Sequence, residues 1–189
     1  DLSFTVNEGE QVTLAGRTGA GKSTVFKLIL GLSKPRSGHV TIGGKDAYTV
    51  ADSERRKIYG CVEQSFHMVP GSIRDQITLF DREISDEDVV RAAKLVGLDD
   101  TIRSFENGYD TPCTPSMLSQ GQWKLLSIAR AVAADPRILL LDEITANLDA
   151  ETEEKVLEAL KRASASRTVL SISHRLFEHT GGRIINIAP

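Results

Sequence analysis

Apolar positions in this chain follow two periods that take turns along it. Phe4 and Val6 alternate with polar residues, which predicts a strand over 1–6, and Asn7-Glu8-Gly9-Glu10 predicts a turn. Val12 and Leu14 open a second strand that runs into a glycine-rich stretch. Residues 23–30 then take a helical period, with Gly31 as its C-terminal stop. Val40-Thr41-Ile42 before Gly43-Gly44 predicts a strand and a tight turn, and 58–62 a further short strand.

From Phe66 to about Ala134 the pattern is helical. Three capping boxes punctuate it: Ser72 with Asp75, Ser85 with Asp88, and Ser119 with Gln122. The second opens a helix over 86–96 that ends at Gly97, and the third a helix through Ala134. Ile138-Leu139-Leu140-Leu141 has no alternation, as expected of a strand covered on both faces of a parallel sheet. Residues 151–163 read as a helix with acids in the first turn and Lys161 and Arg162 in the last, matching the helix dipole. Strands are expected over 168–172 and 183–187. The sum is an α/β domain with a parallel-sheet core, a small antiparallel β part and an inserted helical block.

Composition narrows the class. The chain has 189 residues, a length suited to a single domain, and 40% hydrophobic with 26% charged residues is a globular balance. Net charge is −3, from 23 basic and 26 acidic residues, without the basic excess of a nucleic-acid-binding face. No apolar run approaches the roughly 18 residues of a membrane span. Cys61 and Cys113 form no CxxC pair and the four histidines show no metal-ligand spacing, so neither a zinc site nor a disulfide framework is expected, and a reducing compartment fits. Asp1 in place of Met, already within an alternating segment, leads us to expect a piece of a longer chain.

The chemistry starts at Gly16-Arg17-Thr18-Gly19-Ala20-Gly21-Lys22-Ser23, which fits G-x(4)-G-K-[ST]. A triphosphate needs several backbone N–H donors at close range, so side chains must be absent at the turns, and the following helix adds its dipole. Lys22 would reach the β- and γ-phosphates and the Ser23 hydroxyl would ligate Mg²⁺. Asp142 and Glu143 follow the buried strand 138–141, at the sheet edge where ligands bind in open α/β folds. Asp142 is placed to hold Mg²⁺ directly or through water. Glu143 could orient or deprotonate an attacking water.

With these motifs on the page, the chain resembles an ABC-type ATPase, specifically the ATP-binding domain of an exporter. Gly16 to Thr24 resembles Walker A and 138–143 Walker B with its glutamate. Gln64 resembles the Q-loop glutamine, which the resemblance makes a ligand of Mg²⁺ and of the attacking water. Leu118-Ser119-Gln120-Gly121-Gln122 resembles the LSGGQ signature, Ala146-Asn147-Leu148-Asp149 the D-loop, and His174 the switch histidine. A helix cap would account for Ser119 or Asp149 equally well; the two uses are compatible. Trp123 is expected to pack on the signature helix, and Arg55-Arg56-Lys57 and Lys161-Arg162 to be solvated faces.

The resemblance implies a single domain over 1–189, with a core of 1–65 and 135–189 and a helical subdomain of about 66–134. It implies ATP and Mg²⁺ as ligands. It implies a second ABC ATPase domain as partner, identical or not, the two sandwiching two nucleotides head to tail. It further implies a transmembrane domain on the same or another chain, hence the cytoplasmic face of a membrane, and no nucleic acid. Pro70 to Ile77 (PGSIRDQI) and Gly108-Tyr109-Asp110-Thr111 carry the likeness to exporters. Pro112 to Met117 (PCTPSM) departs from the family, its coupling glutamate falling near Pro115. A soluble ABC ATPase of DNA repair, chromosome or translation function is the alternative class; a plain P-loop kinase would have no use for Ser119, Gly121 and His174.

Overall fold

A computed structural model describes residues 2–145, 147–172 and 181–187. In chain order the strands are β1 (Gln11–Ala15), β2 (Thr41–Ile42), β3 (Lys45–Asp46), β4 (Tyr59–Val62), β5 (Ile138–Leu141), β6 (Thr168–Ser171) and β7 (Arg183–Asn186). Five of them form one sheet, in the order β4-β5-β6-β1-β7, and every neighbouring pair is parallel. β2 and β3 make a separate antiparallel hairpin of two residues a side, turned by Gly43-Gly44. The helices are α1 (Lys22–Ile29), α2 (Asp52–Ile58), α3 (Ile73–Thr78), α4 (Asp86–Leu95), α5 (Asp99–Arg103), α6 (Gln120–Val132) and α7 (Ala150–Ser164).

The unbroken apolar run of β5 has its reason in the sheet's two faces. Leu139 and Leu141 join one hydrophobic cluster with Ile128, Leu126 and Leu160. Leu140 joins the other with Val12, Leu14, Phe26 and Leu170. A strand covered on both sides has no solvent face to mark with polar residues. The first cluster continues without a break into Ile73, Ile77, Val89 and Ile102, so the inserted helices share their core with one face of the sheet. Each such side chain contributes about 1.5–3 kcal/mol on burial, which fixes α6 against β4 and β5.

All three expected capping boxes form: Ser72, Ser85 and Ser119 each accept from the N3 backbone N–H, and Asp75, Asp88 and Gln122 each reach back. Two expectations need correction. Residues 2–7 are not a strand; Phe4 and Val6 are half-buried against the second cluster, so the alternation is real, but no ladder pairs them among the described residues. Of residues 55–57 only Lys57 is solvated as expected, while Arg55 and Arg56 are half-buried. They lie in α2, a helix that buries none of its residues and so shows no apolar period; its only signal is charge, Asp52 and Glu54 in the first turn and Arg55 to Lys57 in the last. Arg56 is half-buried and donates to the backbone oxygens of Thr78, Ile77 and Arg130.

Candidate functional site

A parallel sheet brings the C-terminal ends of all its strands to one edge. β1 releases Gly16 there, β5 releases Asp142 and β4 releases Glu63 and Gln64. Three of the sequence-predicted groups are therefore neighbours because of strand polarity alone.

The phosphate loop turns on glycine. Gly19 and Gly21 have φ of 85° and 94°, a region closed to most side chains, and Gly21 is the residue on which α1 starts. A Cβ at Gly16 would lie 2.6 Å from the Ile187 carbonyl oxygen, so the loop's first residue must be bare for β7 to pass. No side chain caps α1 and no acid lies in its first turn. The helix start thus keeps its free N–H groups and its positive end, which suits a phosphate. Lys22 lies across the loop, its Nζ donating to Gly16 O at 2.7 Å and Arg17 O at 3.0 Å. Ser23 and Thr24 are exposed in the first turn, while Arg17, Thr18 and Ala20 form the loop between the glycines.

Asp142 continues β5, its N–H bonded to Val62 O at 2.9 Å. Its carboxyl is held above the usual range by burial first, then by the negative charges of Glu143 and Glu63, with Lys22 opposing. A half-buried carboxylate crowded by two others and faced by one ammonium is short of positive charge. A hard divalent cation with oxygen ligands would supply it. Among the described residues no cluster of three or more His, Cys, Asp or Glu forms a complete metal cage. Asp142 and the Ser23 hydroxyl are oxygen donors that could hold such a cation. Glu143 is exposed and has φ of 38°, a left-handed conformation uncommon for a residue with a Cβ. Such strain concentrates at functional turns.

Ser119 and Gln122 are committed to each other. Ser119 Oγ accepts from Gln122 N at 3.2 Å and Gln122 Oε1 accepts from Ser119 N at 2.9 Å, so α6 opens on a tightly capped turn. Gln120 is exposed and Gly121 buried. Asp149 caps α7, accepting from Thr152 N at 3.0 Å and Thr152 Oγ1 at 2.6 Å. Among the described residues no hydrogen bond joins the phosphate loop to any of residues 119–122 or to Asp149. These turns form a second locus on the same chain. His174 and Ala146 lie outside the described residues.

Two cations that carry the site's architecture, Lys124 and Arg130, were not singled out by sequence pattern. Lys124 is buried on α6, and its Nζ donates to the backbone oxygen of Gln64. Burial holds its pKa below the ordinary lysine value. Arg130, further along α6, donates to Gln76 O at 2.5 Å and His67 O at 2.9 Å, and its guanidinium lies 4.0 Å from the Phe66 ring centre. Trp123 packs on the same ring, centroids 4.9 Å apart, and donates to Pro115 O at 3.2 Å, so it does pack as expected. Arg130 and Arg56 together close the C-terminal carbonyls of α3. Residues 64–67 therefore ride on α6. The available signal was two cations, Lys124 and Arg130, set among the apolar positions of one helical run.

The family model described as ABC transporter matches residues 1–146. A probable multidrug resistance ABC transporter ATP-binding/permease protein, YheH of Bacillus subtilis, is 37% identical over 177 residues, covering 93% of this chain and 26% of that protein. The beta-(1→2)glucan export ATP-binding/permease protein NdvA of Agrobacterium vitis is 38% identical over 178 residues, 93% of this chain and 30% of its own length. The mycobactin import ATP-binding/permease protein IrtA of Mycolicibacterium smegmatis is 38% identical over 195 residues, 98% of this chain and 23% of its own. The chain thus spans less than a third of each of these relatives.

Proposed function

The chain belongs to the ABC transporter family, and from that premise we propose that it is the ATP-hydrolysing motor of a membrane transporter, working in the export direction. The observation that carries the reading is the single sheet edge shared by the phosphate loop, the Asp142–Glu143 pair and Gln64. The N–H groups of Gly19 to Thr24 and the ammonium of Lys22 hold the phosphates of ATP. Ser23 and Asp142, with Gln64 beside them, would hold Mg²⁺, which would supply positive charge against the phosphates. Glu143 orients a water and takes its proton as the water oxygen bonds to the γ-phosphorus. The bond from that phosphorus to the bridging oxygen breaks, leaving ADP and inorganic phosphate. His174 contacts the departing phosphoryl group.

A second ABC ATPase domain, identical or different, completes each site in this reading. Ser119, Gln120, Gly121 and Gln122 of one chain face the ATP of the other, and Asp149 lies at the same junction. The capping box occupies the N–H groups of Ser119 and Gln122, and those of Gln120 and Gly121 beside them support it as donors for a γ-phosphate. Residues 1–189 form one domain, with 66–134 as the helical subdomain and 1–65 with 135–189 as the core. The transmembrane domain sits on the same or another chain, which puts this one on the cytoplasmic face of the membrane. Export rests on the name of NdvA; IrtA, named as an import protein, is as similar. The test is phosphate release from Mg-ATP by the complete protein with Lys22 intact or as Lys22→Ala. Turnover should require Mg²⁺ and disappear with the lysine; equal turnover by both proteins would sink the phosphate-loop role.

A further inference from the structure

We propose that Thr152 is a positioning residue that locks the signature turn and the Asp149 turn of one chain into a single unit. Nothing in the backbone of Gly121 demands glycine, for it lies inside α6 without a positive φ, where alanine would favour the helix by about 1 kcal/mol. Its neighbour supplies the reason. A Cβ at Gly121 would lie 2.2 Å from Thr152 Cγ2, a distance that real Cβ atoms essentially never show. The other branch of Thr152 points at Asp149, with Oγ1 donating to Asp149 Oδ2 at 2.6 Å while the backbone N–H donates to Oδ1 at 3.0 Å.

A β-branched side chain in a helix has few rotamers. With the hydroxyl tied to the carboxylate, the methyl has one direction left, and it fills the space where Gly121 lacks a side chain. A shift of the Asp149 turn therefore moves the methyl against α6, and a shift of α6 pulls on the Asp149 turn. The lock deepens the proposed function and rests on it, because both turns matter to hydrolysis only if they meet the partner's nucleotide.

The test uses the complete protein, with melting temperature and steady-state ATP hydrolysis as separate readouts. Gly121→Ala should lower both. Adding Thr152→Ser, which removes the offending methyl and keeps the hydroxyl, should restore both. Thr152→Val keeps the methyl and loses the bond to Asp149. It should lower kcat about tenfold or more, as for loss of a hydrogen bond to a charged group, and leave KM for ATP unchanged. The proposal is overturned if the double variant regains its melting temperature but stays as slow as Gly121→Ala, since Gly121 would then be bare for a ligand. It is overturned as well if Thr152→Val turns over like the unsubstituted protein. Absence of hydrolysis by the unsubstituted protein would sink the proposed function instead, and the melting temperatures would still decide whether Thr152 is why Gly121 is glycine.

Discussion

Replacing Arg130 by methionine keeps the stem and removes the guanidinium, which isolates what the charged fork does. The fork bonds Gln76 O at 2.5 Å and His67 O at 2.9 Å and lies 4.0 Å from the Phe66 ring centre. Hydrogen bonds to a charged group contribute about 1.5–3 kcal/mol each, and the ring contact about 0.5–2. Opposing them is desolvation: burial first, and then the nearby Arg56 charge, bring the Arg130 pKa down to about 10. It stays protonated at neutral pH, so the charge is present and its burial cost offsets part of the gain. Methionine would relieve that cost but strand the Gln76 carbonyl at the end of α3, at about 1–3 kcal/mol. We expect a net loss near 3 kcal/mol, which in a chain of this size lowers the melting temperature by about 6–12 °C. Arg130→Lys should recover only part of it, because one ammonium does not reproduce the fork. Scanning calorimetry of the three proteins is the assay. A loss under about 1 kcal/mol for Arg130→Met would show that the clamp adds nothing beyond packing.

Two further outcomes follow from other cations and caps. Lys124→Met should leave stability nearly unchanged, since removing the bond to Gln64 O also removes a desolvated charge, yet lower kcat with KM for ATP unmoved. Steady-state kinetics with unchanged kcat would show that Gln64 does not depend on this tether. Asp88→Asn should cost about 0.5–1 kcal/mol near neutral pH by weakening the α4 cap. Asp88 accepts from Ser85 N and Oγ, which lower its pKa below the ordinary 3.8, so its contribution is present above that value and fades as pH falls through the lowered one. Urea unfolding should show the deficit closing in acid, and a deficit constant with pH would count against the carboxylate's role.

The sequence was most readable where one kind of signal determined the structure. β5 was legible because a strand covered on both faces must be continuously apolar, and the three capping boxes because their partners lie three residues apart. The phosphate loop was legible because glycine spacing is itself the mechanism. α2 was missed because it buries nothing, and hydrophobic period is silent on such a helix. The strand expected over 1–6 is not found in its described part, 2–6, because half-burial of Phe4 and Val6 produces the alternation of a strand without one. Lys124, Arg130 and the Gly121–Thr152 contact were out of reach for a different reason. Each joins positions far apart in the chain, Lys124 to Gln64 and Gly121 to Thr152, and local pattern holds no record of such a meeting.

The central claim is that Glu143 works on water at a nucleotide held by the phosphate loop. It is tested most directly by single-turnover hydrolysis and nucleotide binding in the complete protein, unsubstituted and as Glu143→Gln. The account predicts Mg-ATP binding of equal affinity in both and hydrolysis slowed by about 10²–10⁴-fold in the variant. Equal hydrolysis rates would contradict it and remove Glu143 from the chemistry.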